Sequence, residues 1–464
     1  MLKRIFLPQS GLNYLLALIF LLLTGVLGFQ LVRTQFEPLL LTYGVFFALY
    51  LYVYVQKQSS SAVYFFVMVA ILLRFLLVFS FPNLSDDVYR FIWDGRLLVN
   101  GINPFDHLPA YYIENGISIA GIDESLFQLL NSPEYFTIYP PVAQLNFLIA
   151  NWLFPNSIYG ATVMMKLQLF LFEIGAIYLM IQLLKHFQLP SKNVLLYALN
   201  PLIILEVTGN LHFEGAMICF LLLAIYLLIK NKWLWSAVAF ALSIAAKLLP
   251  LMFLPFLIKR LGWRRSFSYF VVIGGVLLLL FIPLFSGTFF NNFGASLNLY
   301  FQKFEFNASI YYALRWVGYQ WTGYNIIQEL GPSLAVGTLT GILAMAFFEK
   351  KKKQKLGDTL KISPSLVDYW QPLFAKMLFA ITLYLSFTTI VHPWYVALPL
   401  ALCMFTNYRF PILWSAFIFL TYINYSYPVY QENLMVVAIE YIAVFSYAFY
   451  EIFRSKEQLS TVHC

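Results

Sequence analysis

The sequence predicts an all-α polytopic membrane protein, a bundle of about 12 to 14 transmembrane helices with one large acidic loop outside the bilayer. Three observations predict it. The 464 residues are 61% hydrophobic and only 11% charged, with a mean hydropathy of +0.75. Apolar runs of about 20 residues recur along the chain, the length that crosses a hydrocarbon core. The short alternating segments that a transmembrane barrel requires are missing.

The apolar segments fall near 12–32, 38–55, 62–82, 159–184, 194–208, 215–229, 233–246, 248–258, 267–286, 331–348, 373–389, 393–406, 410–425 and 432–452. The first follows a basic start, Lys3 and Arg4. It is longer than a signal-peptide core and lacks a small-residue cleavage site, so it reads as a retained span. Alternating sides from a cytoplasmic N-terminus puts Lys57, Lys185, Lys192, Lys230, Lys232, Lys259 to Arg265, Lys350 to Lys355, Arg409, Arg454 and Lys456 inside. That is the positive-inside pattern. It requires 233–258 to be two short helices with Lys247 and Pro250 near the outer turn, and 139–154 to be a helix that does not cross.

The net charge of +8 therefore orients loops rather than binding nucleic acid. Cys219 and Cys403 lie in apolar runs and Cys464 ends the sequence, with no disulfide framework or CxxC metal site. No internal repeat is visible. The economical description is one integral membrane domain, 1–464, with outer loops at 83–158 and 287–330 and a basic cytoplasmic loop at 349–372.

Residues 83–137 hold eight acidic and two basic residues. Unpaired carboxylates beside lipid are costly, so this stretch is a functional-site candidate by default. Ser85 followed by Asp86 and Asp87 reads as a helix start with Ser85 as N-cap, and the helix runs to about Val99. Gly101 then permits the turn into Asn103-Pro104. Asp87, Arg90 and Asp94 share one face of that helix, and Asp86, Arg90 and Trp93 the adjacent one. The two leading aspartates have a plain alternative role: complementing the helix dipole and pairing with Arg90. They also make a general base beside a metal or substrate ligand, because carboxylates this close push their pKa values apart.

The run Ser85-Asp86-Asp87-Val88-Tyr89-Arg90-Phe91-Ile92-Trp93-Asp94-Gly95-Arg96, with Gly101-Ile102-Asn103-Pro104-Phe105 downstream, resembles the first extracytoplasmic loop of the GT-C glycosyltransferases. The resemblance is closest to bacterial polyprenyl-phosphate-mannose-dependent mannosyltransferases, and more distant to the glycosylphosphatidylinositol mannosyltransferase I family. Tyr139-Pro140-Pro141 is similar to the element that closes this loop in the family. Gly209-Asn210-Leu211-His212-Phe213-Glu214 resembles a histidine-and-acid turn, Ala246-Lys247-Leu248-Leu249-Pro250 a lysine–proline turn, and Val391-His392-Pro393-Trp394-Tyr395 a late outer turn.

The resemblance implies transfer of a hexose, most often mannose, from a polyprenyl-phosphate donor to an acceptor hydroxyl at the extracytoplasmic face of a bacterial cell membrane. The catalytic base it implies is Asp87 or Asp86, with inversion at the sugar. Lys247, His212, His392 and Arg90 are the implied donor-phosphate ligands. Asp94, Arg96, Asn103, Tyr139, Gln144, Glu214, Trp394 and Tyr395 are the implied substrate-binding set. The acceptor is a glycolipid, polysaccharide or protein hydroxyl. No cofactor is demanded; Mg or Mn on Asp86 and Asp87 is compatible with so acidic a loop, although no ligand spacing calls for it.

Each motif has an ordinary reading as well. His212 fits an interfacial histidine, Glu214 a helix cap, Lys247 a snorkelling lysine and Trp394 with Tyr395 belt aromatics. Arabinose or glucose could replace mannose. A transporter or flippase for a lipid-linked sugar is the main alternative of another class, but transporters concentrate ionisable residues at the midplane of two related halves. An outer-face ligase or phosphoryl transferase is a further alternative.

Overall fold

With no water in a bilayer to bond the backbone, apolar runs of this length must satisfy their own N–H and C=O groups, and helices do so. The computed structural model describes residues 9–348 and 366–461, and outside its helices these pair only as isolated bridges. The Lys350–Lys355 cluster, Lys3, Arg4 and Cys464 lie outside the described residues.

Seven described helices are long and apolar enough to cross a membrane: Gly11–Phe29, Phe36–Val55, Ser60–Val78, Ile158–His186, Trp263–Leu284, Ile327–Phe347 and Leu434–Arg454. A further apolar pair, Pro201–Gly209 and Glu214–Ile229, is bent by 107°, the form of a broken span or a re-entrant loop. Trp233–Ala246, Pro393–Cys403 and Phe410–Tyr425 are apolar but shorter. Several of the fourteen apolar stretches are thus fragments. Hydropathy registers apolar residues but not the helix breaks between them. The chain is an all-α polytopic membrane protein.

Serine caps start three of the spans. Ser10, Ser59 and Ser157 accept hydrogen bonds from the N–H groups of Asn13, Ala62 and Gly160, satisfying donors that a helix N-terminus leaves open. Large side chains such as Leu22, Leu41, Phe267 and Leu279 remain on the outside of the bundle, where lipid rather than water is the expected neighbour.

The interior carries a polar ladder. Arg74 and Glu173, both fully buried, pair at 3.0 Å; Tyr197 donates its hydroxyl to Glu173 at 2.7 Å. Lys166 donates to the Leu77 and Ser80 carbonyls at 2.8 and 2.6 Å. These contacts tie Ser60–Val78 to Ile158–His186 and to the segment leading into the bent pair.

Trp233–Ala246 packs on Glu214–Ile229 through Ser243 and Ser236, whose hydroxyls donate to the Met217 and Ala224 carbonyls at 2.7 Å each. Lys247 is extended (φ −159°) and ends this helix. A 3-10 turn follows over Leu249–Phe253, with Pro250 near its start, and then the helix Leu254–Leu261. The stretch is two short helices, as its basic ends require.

The acidic-loop helix runs Asp87–Val99, with Asp86 in the N-cap position and no side-chain cap. Ser85 Oγ instead accepts from the Asp87 N–H at 3.3 Å. The start is one residue later than expected, and the Asp86 carboxylate, instead of capping the helix, pairs with Arg33. Gly101 takes φ +73°, a conformation that side chains rarely adopt. The helix Pro141–Leu153, too short to count as a span, packs against Asp87–Val99, with Phe91 and Phe147 stacked at 4.6 Å. A Cβ on Gly95 would meet the Phe147 carbonyl at 2.6 Å, so this glycine sets how closely the two helices approach.

Candidate active site

The loop helix, the bent pair, the break at Lys247 and the turn before Pro393 converge on one point. Asp87 opens its helix with 22% of its side chain exposed. Its carboxylate accepts a hydrogen bond from Asn131 Nδ2 at 2.8 Å and another from Tyr139. Burial pushes the Asp87 carboxyl above its usual value of 3.8; the Asn131 bond and the charge on Lys247 oppose that rise, and Asp86 adds to it. A carboxylate raised in this way is a better proton acceptor.

His212 sits in the break of the bent pair, 4% exposed. Its Nδ1 lies 2.7 Å from the Glu206 carbonyl oxygen. A carbonyl only accepts, so Nδ1 carries the proton, and in the neutral ring Nε2 is left as an acceptor. That Nε2 faces Asp87 Oδ2 at 3.9 Å. The ring stacks on Trp394 at 3.6 Å, and His392 also stacks on the tryptophan, at 4.4 Å. Burial, with Lys247 second, pushes the His392 imidazole down to about 3. It therefore carries no charge at neutral pH.

Lys247 pairs with Glu214, the first residue of the second half of the bent pair, and its Nζ lies 4.5 Å from the centre of the Tyr395 ring. An ammonium has three donors, so Glu214 leaves capacity for a further anion. The carboxylate is the anionic partner that a lysine beside apolar helices needs.

The structure thus gathers Asp87, Tyr139, His212, Glu214, Lys247, His392, Trp394 and Tyr395, although they come from segments far apart in the chain. It separates the twin aspartates. Asp86 pairs with Arg33, and that guanidinium lies 4.7 Å from the centre of the Tyr425 ring.

The remaining predicted residues form a supporting layer. Arg90 binds Asp94 at 2.9 Å, not Asp86 or Asp87, and donates to the Ser132 and Tyr135 carbonyls at 3.2 and 2.8 Å. Gln144 donates to Asp94 at 3.1 Å and to Thr137 at 3.2 Å. Arg96 donates to the Gly121 carbonyl at 2.6 Å. Asn103 reaches away to the Leu284 carbonyl at 2.7 Å. Arg90, Asp94 and Gln144 together brace the 131–139 segment that presents Asn131 and Tyr139 to Asp87.

Four contributors escaped the sequence reading: Arg33, Asn131, Glu206 and Tyr425. Glu206 is fully buried, accepting from Tyr422 at 2.6 Å and Asn210 at 3.3 Å. Its signal was available, an acid inside an apolar run. It lies on a π-helical turn, Ile204–Gly209, a distortion frequent at functional sites. Among the described residues, no group of three or more His, Cys, Asp or Glu side chains is set to hold a metal ion. With Asp86 turned to Arg33, the two adjacent aspartates are not presented as a joint ligand pair.

No curated protein matches the chain. Residues 22–262, more than half of the sequence, match the model of the MptA_B family, described as alpha-(1->6)-mannopyranosyltransferase, N-terminal domain. The matched region contains Asp87, Asn131, Tyr139, His212, Glu214 and Lys247. The chain belongs to this family, and it is a GT-C mannosyltransferase.

Proposed function

We propose that the protein moves mannose from a polyprenyl-phosphate carrier to an acceptor hydroxyl at the extracytoplasmic face of a bacterial cell membrane, with Asp87 as general base. One observation carries this reading. A partly exposed carboxylate of raised proton affinity stands within electrostatic reach of a lysine that has donors to spare.

The acceptor O–H proton passes to Asp87 as its oxygen attacks the anomeric carbon. The bond from that carbon to the phosphate oxygen breaks, and the phosphate keeps the electron pair. Lys247 offsets the growing phosphate charge. His392, uncharged, contributes a hydrogen bond rather than a cation. Displacement from the face opposite the phosphate inverts the sugar. Asp86 is held by Arg33 and serves to shape the loop. Mg or Mn, if used, would be read as activity lost on chelation and restored by the ion.

The test is transfer from synthetic polyprenyl-phosphate mannose, labelled in the sugar, by purified protein in detergent, where transport cannot register. Asp87→Asn should lower kcat by about 10²- to 10⁴-fold, and Asp86→Asn far less. Full activity in Asp87→Asn would remove the base. Lys247→Ala should raise the donor KM more than the acceptor KM; equal changes would leave the lysine a structural role only.

A further inference from the structure

The matched region ends at 262, and the groups gathered around Asp87 and Lys247 suit the reacting hydroxyl, anomeric carbon and phosphate. A separate cavity of about 380 Å³ opens at the segment between Phe410–Tyr425 and the last helix, lined by Tyr427, Gln431, Glu432, Asn433 and Leu434. Its volume lies in the range of small-molecule sites.

The cup is built in advance by hydrogen bonds. Asn433 donates to the Tyr427 hydroxyl at 2.9 Å, and its own N–H donates to Asn424 at 3.0 Å. Glu432 accepts from the Asn307 N–H with one oxygen and from the Tyr312 hydroxyl with the other. Capacity remains unspent. An ionised carboxylate offers about four lone-pair sites, of which two are used here, and a tyrosine hydroxyl that accepts can still donate. The exposed Gln431 amide makes no hydrogen bond among the described residues.

The lining chemistry selects its ligand. One carboxylate, two amides and a phenol line it, and Arg315, whose charge reaches Glu432, is already paired with Glu305, so the lining suits a neutral polyol better than a phosphate. The Tyr427 ring and Leu434 offer apolar surface to sugar C–H groups.

Two residues next in the chain to the cup and its supports reach rings of the site. Phe306, adjacent in the chain to Asn307, packs its ring 4.7 Å from His392 and is fixed by Val391 N–H donating to its carbonyl at 2.8 Å. Tyr430 lies 5.5 Å from Tyr425, the ring under Arg33. We propose that this cup holds the neutral saccharide end of the acceptor and delivers its hydroxyl toward Asp87. The assignment rests on the transferase reading above and extends it to the acceptor class.

The experiment measures equilibrium binding of α-1,6-mannobiose to the full-length protein in detergent, together with the separate KM values for donor and acceptor. Gln431→Ala and Tyr427→Phe, each removing a single polar partner, should weaken mannobiose about five-fold. Both should raise the acceptor KM in step while the donor KM stays put. Binding by the Asp87→Asn protein should persist, so a failure of the base assignment leaves the cup readable on its own. Mannobiose that does not bind the unaltered protein would overturn the proposal. Variant affinities equal to the parent, or donor and acceptor KM values that rise together, would overturn it as well.

Discussion

Arg74 and Glu173 in the bundle interior are fully buried and paired at 3.0 Å, whereas Asp87 keeps 22% of its side chain open and faces His212 Nε2 at 3.9 Å without a hydrogen bond. Both clusters place ionisable groups where lipid surrounds the protein, and both satisfy the rule that such residues need a reason. What separates them is exposure and, among the acceptor atoms, unspent valence, since Arg74 Nη2 in the ladder is also without a partner. Glu173 is consumed by Arg74 and Tyr197, and Lys166 by two carbonyls and the Ser80 hydroxyl. Around Asp87, by contrast, His212 Nε2 and Glu214 Oε2 have no hydrogen-bond partner. A carboxylate inside a membrane protein marks chemistry when it stays open beside acceptors left over, and architecture when it is sealed against its cation.

The largest effect that would break this contrast is on stability. Glu173→Ala strands the buried Arg74 charge and should cost about 3–5 kcal/mol, read as a lower unfolding midpoint in detergent, with the KM values of the surviving folded fraction unchanged. A variant that melts like the parent yet loses transfer would move the ladder into the reaction.

A smaller change sharpens the contrast through pH. With Asp87 as the proposed base, transfer needs it unprotonated, and its folded value lies above 3.8, so kcat/KM should fall as pH drops through that raised value. The Asn131 bond favours the charged form and pulls the value down. Asn131→Ala should therefore move the acid limb to higher pH, and a limb that stays in place would mean the titrating group is elsewhere.

The smallest effect belongs to the exposed pair. Arg33→Ala should cost about 1 kcal/mol or less of stability, because Arg33 and Asp86 are both partly solvated. It should lower transfer only modestly; a collapse as deep as that of Asp87→Asn would make Asp86 the reacting carboxylate.

Local rules made much of this legible. The helix ending at Val99, the left-handed Gly101 and the break at Lys247 each follow from a residue and its immediate neighbours. The motif residues His212, Glu214, Lys247 and Trp394 are legible as short local patterns, although the point where they meet is not. What escaped were the non-local pairings. Asp86 and Asp87 read as equivalent because adjacent residues share every short-range signal, and only a partner 53 residues away tells them apart. Arg33 had a signal of its own: in the expected topology it is a lone cation on the side otherwise poor in them. Asn131 had none, being an ordinary polar residue in a polar loop. Arg90 sat correctly on the Asp94 face, but helix geometry alone does not say which of three acids it chooses.

The Arg33–Asp86 contact has a practical consequence. Arg33 belongs to the short link joining the first two membrane helices. A trimmed chain beginning at the third helix would retain every motif aspartate, histidine and lysine, yet strand Asp86 without its counter-ion. Fragment activities would then under-report a centre whose reacting groups are all present, and swapping the leading hairpin between relatives becomes a way to tune it from a distance.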